Sequence, residues 1–284
     1  MISSERLEKG RKSRFTEVDT IKISCEKKRI IGNETIKSSQ ETGLDDLNFV
    51  HVIKSVLTEQ NTSVIVKIHS SFSISIKKEL IALNRLKNFQ NSVKLICDFS
   101  CMDEKHRWKT PVQTPVKFCN NKKDSLHFIV LENIENGQIE HFLNNNPSNE
   151  ELCCLFIQIE LSIITLALDY RMSHGDLNSG NILLSHTDKK EVRYNILGRE
   201  YRVPSFGIIP KFIDYGRFIE YREENIEPED IIYDILLIFG ILNVYIQNEN
   251  IKDKLNKWIF KVSEDNIQNF NDLVHDTKMF FRNI

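Results

Sequence analysis

The sequence predicts an α+β fold with two lobes, a small strand-rich lobe at residues 20–134 and a mainly helical lobe at residues 135–284. Three observations predict this class. Short β-branched runs separated by polar turns fill much of the first lobe, as is typical of strands. A long apolar helix pattern covers residues 150–170, and its apolar face is broad enough to be buried. A polar loop with catalytic residue types then connects that helix to another strand.

Composition limits the classes of function. The 284-residue chain has a formal net charge of −2, whereas a dedicated nucleic-acid-binding protein would show a dominant basic surface. The sequence contains no run of about 18 apolar residues, so we expect no transmembrane helix. We interpret residues 1–20 as a flexible basic tail, because they lack the apolar core of a secretory signal. The six cysteines form no Cys-x-x-Cys pair, which favours free thiols in a reduced, intracellular protein. We expect a monomer that binds neither membrane nor nucleic acid.

The first lobe carries two charged residues with more than one interpretation. The β-branched strand Val64–Ile68 contains one lysine, Lys67. The pattern from Ile76 to Phe89 has apolar residues at helical spacing and contains Glu79. No other carboxylate lies between Lys67 and Glu79, so Glu79 is the only helix partner that this segment offers the lysine. The alternatives are a solvated lysine on an edge strand and a solvated surface glutamate.

A hinge between the lobes is predicted after the next buried strand. A polar insert at residues 100–125 precedes the strand His127–Leu131, and Glu132-Asn133-Ile134 follows it. Gly137 then breaks the pattern, as expected of a connecting segment.

The long helix leads into the loop His174–Asn181, which has the pattern His-x-Asp-x-x-x-x-Asn and runs into the apolar stretch Ile182–Leu184. This pattern resembles the catalytic loop of protein kinases, in which the aspartate reaches a substrate hydroxyl while the asparagine points at a metal ion between phosphates. Asp176 and Asn181 occupy these two positions. A strand directly after the loop would hold both side chains in place.

A second motif, Phe212–Gly216, contains Asp214 after another apolar run. A carboxylate in this place can bind the Mg²⁺ that bridges the phosphates. Either motif alone is weak evidence, because Asp-x-Gly is usually only a turn. In this order they are far more specific, and together they resemble the catalytic and metal-binding loops of protein kinases. The predicted fold is therefore bilobal and kinase-like.

Within the protein kinases, the chain resembles the haspin family. The stretches that carry this resemblance are Tyr194–Gly198, Val203–Gly207, Ile213–Tyr215, Tyr233–Ile235 and the end of the chain from Asp272 to Phe280. Asp-Tyr stands in place of Asp-Phe-Gly, and no Ala-Pro-Glu occurs. Asp234 follows Asp214 by only 20 positions, which is similar to the short activation segment of that family. Kinases of large DNA viruses share part of this signature.

The resemblance implies an ATP- and Mg²⁺-dependent serine/threonine protein kinase, and the histone H3 tail is the family's known substrate. By the resemblance, Asp176 orients or deprotonates the acceptor hydroxyl, and Asn181 and Asp214 bind the metal. Lys67 and Asn178 complete the implied catalytic set. The implied cofactor-binding positions are Gly43, Val50, Lys67, Glu79, Glu132, Asn133 and Ile134. A true haspin homologue would act in the nucleus, whereas otherwise we expect the cytoplasm, or a host cell if the protein is viral.

Three departures from the kinase pattern bear on activity. Residues 43–50, where the Gly-rich loop should fall, keep only the first glycine, and Asp45 and Asp46 would repel phosphate. Gly175 replaces the arginine that normally senses phosphorylation of the activation loop, so no such switch is expected. Asn178 stands where protein-serine kinases have lysine and haspin has histidine, and it has no charge.

Three functions therefore stay open. The first is an active serine/threonine protein kinase. The second is a pseudokinase that keeps the fold as a binding module, in line with the degraded Gly-rich loop. The third is a small-molecule phosphotransferase, suggested by His-Gly-Asp at residues 174–176 and by the short segment after Asp214.

Overall fold

The computed structural model describes residues 21–24, 29–31, 50–57, 62–69, 74–100, 127–135, 137–221, 226, 229–264, 272–275 and 277. Its strands are β1 (Ile21–Ser24), β2 (Arg29–Ile31), β3 (Val50–Leu57), β4 (Thr62–His69), β5 (Leu95–Ser100), β6 (His127–Glu132), β7 (Met172–Ser173), β8 (Ile182–His186), β9 (Glu191–Ile196), β10 (Arg199–Pro204), β11 (Ile208–Phe212) and β12 (Ile219–Glu220). Its helices are α1 (Ile74–Arg85), α2 (Ile139–Asn144), α3 (Asn149–Tyr170), α4 (Glu229–Asn243) and α5 (Glu249–Glu264). The α+β class predicted from the sequence is confirmed.

The chain divides into two compact units. The first comprises residues 1–73 and 95–133, and the second comprises residues 74–94 and 134–284. In the described part of the chain, β1–β6 belong to the first unit, and α1–α5 with β7–β12 belong to the second. Helix α1, which we assigned to the first lobe, therefore groups with the helical unit. The predicted tail and nearly all of the predicted insert lie outside the described residues.

The first unit is built on one six-stranded sheet with the strand order β2-β1-β3-β4-β6-β5. Strand β4 is antiparallel to both β3 and β6, and Lys67 is paired with Val52 and Ile129. Lys67 thus lies on an inner strand, and the alternative of an edge strand is wrong. The rings of Phe99 and Phe128 stack with their centroids 4.8 Å apart.

The second unit is organised around α3, whose residues 155–164 are all buried. Ser148 caps the helix, accepting a hydrogen bond from the Glu151 amide while the Glu151 carboxylate accepts one from the Ser148 amide. This reciprocal arrangement satisfies two of the amides that a helix start leaves unpaired. By length and composition α3 could also cross a membrane, with a mean hydropathy of 1.9, but 78% of that window is buried in the fold. Such burial is what a core helix requires.

A buried polar cluster fixes the strand that precedes the second motif. The side-chain Nδ2 of Asn91 donates to the Tyr194 hydroxyl at 3.2 Å and to the Pro210 backbone carbonyl at 2.9 Å. The backbone carbonyl of Asn91 accepts from the backbone amide of Phe212 at 2.7 Å. Burial raises the pKa of the Tyr194 phenol, so its hydroxyl stays protonated. These bonds place β11, and therefore the residues that follow it, against the core.

The β9–β10 hairpin turn follows directly from the sequence. Strands β9 and β10 pair through a turn at Leu197 and Gly198, which have φ of 49° and 79°. A two-residue turn of this kind requires positive φ at both positions, which is why the glycine is placed there. Residues 194–196 and 201–203 on either side of Gly198 predict such a hairpin, and the structure confirms it.

The cysteines follow the sequence expectation only in part. Cys153 and Cys154 are free thiols on α3. Cys97 on β5 is disulfide-bonded, so the expectation that it carries a free thiol is wrong.

Candidate functional site

Ile213 connects the two motif loops within the second unit. Its carbonyl accepts a hydrogen bond from His174 Nε2 at 2.8 Å, and its amide donates to the Asn181 carbonyl at 3.0 Å. A carbonyl can only accept, so the His174 ring carries its proton on Nε2. His174 and Asn181 are the two ends of the first loop, and Asp214 directly follows Ile213. The two bonds therefore bring Asp214 beside the loop that carries Asp176.

The Asp176 carbonyl is the centre of the first loop. It accepts hydrogen bonds from Asn178 Nδ2 at 3.0 Å and from Asn181 Nδ2 at 2.8 Å. The nitrogen and oxygen of an amide point in opposite directions, so this bond turns Asn181 Oδ1 away from the carbonyl. That oxygen is thereby oriented as an acceptor or a metal ligand. The Asp176 carboxylate itself is 43% exposed and so is accessible to a substrate.

Asn178 has a structural task that its sequence position did not indicate. Its Oδ1 accepts from the Gly180 amide at 2.9 Å and caps the 3-10 turn Ser179–Asn181. Its Nδ2 is the donor to Asp176. Both ends of the side chain thus hold the loop in shape, and the implied role of Asn178 as a phosphate contact stays a prediction.

Glu140 anchors the same loop from α2. The Ser179 hydroxyl, which is buried, donates to Glu140 Oε1 at 2.5 Å. Hydrogen bonds to an ionised carboxylate are short and strong compared with neutral ones. No local sequence pattern indicates Glu140, although its partner Ser179 lies inside the motif.

Asp214 has an unusual backbone conformation. Its φ of 65° and ψ of 64° lie in the left-handed region, which costs about 1–3 kcal/mol for a residue with a side chain. The next residue, Tyr215, is fully buried, and burial raises the pKa of its phenol. With Tyr215 pointing into the core, the Asp214 side chain remains exposed. Strain of this kind is concentrated at functional sites.

Helix α1 docks on the segment that follows Asp214. A side chain on Gly216 would overlap the Ser75 hydroxyl. Lys78 Nζ donates to the Phe218 carbonyl at 3.2 Å. Arg85 Nη2 forms an ion pair with Glu220 at 2.7 Å. The helix that carries Glu79 is therefore held against this segment along its whole length.

Gly175 lets the two loops touch. It has a φ of 74°, and a Cβ there would overlap the carbonyl oxygen of Arg217. The contact continues as the short β7–β12 pair and ends where the Tyr221 amide donates to the Arg171 carbonyl at 2.9 Å. The absence of a side chain at Gly175 thus leaves room for direct backbone packing of residues 217–221 on the loop that carries Asp176.

The other predicted site residues are distributed over both units. Glu79 is 1% exposed, so the alternative of a solvated surface glutamate is wrong. Lys67, Glu132 and Asn133 belong to the first unit, and Ile134 belongs to the second. The pairing of Lys67 with Glu79 therefore stays a prediction. Gly43 lies outside the described residues, and of Val50 only the backbone at the start of β3 is described.

The donor atoms at this site suit Mg²⁺. Asn181 Oδ1 and the Asp214 carboxylate are oxygen ligands, which hard divalent cations prefer. Within the described ranges no group of three or more His, Cys, Asp or Glu residues clusters as a metal site. Mg²⁺ is usually held by only one or two protein ligands together with water and substrate phosphates. The two oxygens therefore fit Mg²⁺ better than they fit an ion that needs protein ligands alone.

Asp234 lies half-buried on α4 in the second unit, and burial raises the pKa of its carboxyl group. In the described part of the chain, its carboxylate forms no hydrogen bond or ion pair with the catalytic loop. A native pKa above the unfolded value means that the folded state binds the proton more tightly. Stability from this group is therefore present at low pH and is lost as pH rises through the native pKa.

We predict that Asp234→Asn raises the free energy of unfolding at neutral pH, because the variant removes a charge that burial disfavours. The difference from wild type should shrink as pH falls toward the unfolded pKa of about 3.9. Denaturant unfolding at a series of pH values measures it. Asp253→Asn, at an exposed position on α5, is the control and should not raise stability. A destabilised Asp234→Asn protein at neutral pH would contradict the account.

We predict that Gly175→Ala destabilises the protein more than Gly198→Ala. Both glycines have positive φ, 74° and 79°, but a Cβ at Gly198 meets no atom within 4 Å. Gly198→Ala should therefore cost only the backbone strain of about 1–2 kcal/mol. Gly175→Ala adds the overlap with Arg217 and should also speed amide hydrogen exchange at Ile219 and Tyr221. Equal losses in the two variants would show that the loop contact contributes nothing.

Comparison with known proteins gives partial matches. No family model matches the chain. The chain is similar to the serine/threonine-protein kinase haspin of Mus musculus, with 32% identity over 89 residues, which is 31% of this chain and 12% of that protein. Haspin of Bos taurus is 32% identical over 95 residues, or 33% and 12% of the two chains. An uncharacterized protein of Caenorhabditis elegans is 35% identical over 66 residues, 22% of each chain.

The matched stretches therefore cover only a small part of these relatives' own length, 12% of each haspin and 22% of the nematode protein. At that coverage the similarity supports a kinase-like relationship for this chain.

Proposed function

We propose that the chain is an ATP- and Mg²⁺-dependent serine/threonine protein kinase of the haspin type. The observation that carries the proposal is the pair of hydrogen bonds in which the Ile213 carbonyl accepts from His174 and the Ile213 amide donates to Asn181. They bring a candidate base, Asp176, together with two candidate metal ligands, Asn181 and Asp214. Phosphoryl transfer is mostly a matter of positioning and charge neutralisation, which such an arrangement can supply.

Three residues of the second unit have a role in the proposal. Asp176 accepts the proton of the acceptor hydroxyl and orients its oxygen. Asn181 and Asp214 hold the metal, which, when bound, neutralises charge on the phosphates. The partial similarity to haspin supports this assignment over an unrelated use of the same residues.

The remaining parts of the proposal extend beyond the second unit. Lys67 contacts the nucleotide phosphates, Glu79 orients Lys67, and residues 132–134 receive the adenine through their backbone groups. The proposed substrate is a protein with a serine or threonine acceptor, and the histone H3 tail is the first peptide to test. We propose that the protein acts as a monomer inside the cell, in the nucleus if the relationship to haspin extends to its role.

We predict that Asp176→Asn lowers phosphate transfer to an H3 tail peptide by about 10²–10⁴-fold, the usual contribution of a positioned general base. Affinity for Mg-ATP should change little, since other residues hold the metal. Asp214→Ala should instead abolish the Mg²⁺-dependent rise in melting temperature that ATP produces by binding the native state. Radiolabelled ATP and thermal shift with and without Mg²⁺ are the measurements.

Asp188→Asn is the matched control, because Asp188 is a fully exposed aspartate in the loop after β8. It should transfer phosphate as wild type does. Undiminished transfer by folded Asp176→Asn would overturn the role of Asp176. A wild-type protein that binds no Mg-ATP indicates a pseudokinase, and one that phosphorylates small alcohols but no peptide indicates a small-molecule phosphotransferase.

A further inference from the structure

The catalytic loop has no cation of its own near Asp176. The sequence places the neutral Asn178 where protein-serine kinases have lysine, and both ends of its side chain are bonded within the loop. A developing charge on a transferred phosphoryl group needs a positive partner. That partner must therefore come from outside the loop.

Arg217 is placed to supply this charge. Its Nε lies 4.0 Å from Asp176 Oδ2, and its side chain is 75% exposed. Its backbone is fixed, because its carbonyl packs on Gly175 and it ends the 3-10 turn Tyr215–Arg217. The buried residues Tyr215 and Phe218 anchor the turn on both sides. The Arg217 guanidinium is therefore exposed on an ordered turn beside Asp176.

Two nearby lysines are less suited to the task. Lys78 Nζ is bound to the Phe218 carbonyl and lies 5.7 Å from the centre of the Phe218 ring. Lys211 is buried on β11, and its Nζ donates to the Ser92 carbonyl at 3.2 Å. Arg217 is thus the cation that the described contacts place at the candidate base.

We propose that Arg217 binds the phosphoryl group in transit between nucleotide and acceptor, in place of the loop lysine that this chain lacks. The proposal rests on the proposed kinase function and adds a catalytic residue to it. Arginine suits the task because its planar guanidinium can bind two phosphate oxygens at once. Its contact with Asp176 is an exposed ion pair, and such pairs are weak enough to exchange for a phosphate.

In the proposed step the γ-phosphoryl group passes from ATP to the acceptor hydroxyl. The acceptor hydroxyl oxygen forms a bond to the γ-phosphorus, and its proton passes to the Asp176 carboxylate. The bond between the γ-phosphorus and the β–γ bridging oxygen breaks, and ADP leaves with the electron pair. Arg217 stabilises the charge on the three equatorial oxygens during this exchange.

The test compares Arg217→Ala and Arg217→Lys with wild type. Arg217→Ala should lower kcat about 10²–10³-fold, the usual effect of removing one donor to a developing charge. The KM for ATP should stay within about twofold, because a contact made only in the transition state affects kcat. Arg217→Lys should recover part of the rate, since it keeps the charge but not the planar fork.

Binding of ADP with Mg²⁺ and fluoroaluminate, a mimic of the phosphoryl group in transit, gives a readout that does not depend on turnover. Calorimetry should show that Arg217→Ala weakens binding of this mimic while binding of ADP with Mg²⁺ alone is unchanged. Arg202→Ala is the matched control, because Arg202 is an exposed arginine paired with Glu200 at 2.6 Å on the β9–β10 hairpin. It should match wild type in both assays.

The outcomes separate this proposal from the one on which it rests. A wild-type protein that transfers phosphate, with Arg217→Ala equal to it in kcat and in mimic binding, overturns the role of Arg217 and leaves the kinase function standing. Equal losses in Arg202→Ala and Arg217→Ala also overturn it, because the effect would then be one of surface charge. A wild-type protein that neither binds ADP nor transfers phosphate overturns both proposals.

Discussion

The candidate site depends on the two hydrogen bonds of Ile213. One backbone unit donates to the Asn181 carbonyl and accepts from the His174 ring, so it closes the catalytic loop at both ends. Hydrogen bonds in a buried setting are worth more than in water, and an unmade one is costly. His174 is buried and packs on Tyr215 with ring centroids 4.8 Å apart. The segment that carries Asp214 and the loop His174–Asn181 therefore form a single structural element.

The same element explains the departures from the usual kinase pattern. Position 175 has glycine where the usual pattern has arginine. Because glycine has no side chain, the Arg217 carbonyl packs directly on the loop. Helix α1 is bound to this segment through Lys78 and Arg85. Close backbone packing at Gly175 and two cations on α1 hold the segment after Asp214 in place.

The sequence predicted the parts of the fold that local patterns encode. The apolar period of α3 and the hairpin turn at Gly198 each follow a local rule, and the structure confirms both. The capping box of Ser148 and Glu151 was readable but was missed, so the helix start was placed one residue late. What the sequence could not provide was non-local. Glu140 lies 39 positions from Ser179, and Arg217 lies 41 positions from Asp176, with no spacing rule to link them.

The most direct test of the account is a double-mutant cycle on metal–nucleotide affinity with Asn181→Ala, Asp214→Ala and the double variant, measured as binding of Mn²⁺-ADP by electron paramagnetic resonance. If the Ile213 bonds hold both side chains at one metal ion, the second substitution should cost much less than the first. The coupling should fall in the range of about 0.5–3 kcal/mol that is typical of residues sharing a ligand. Losses that add independently, as they do for distant sites, would contradict the claim that these two loops form one site.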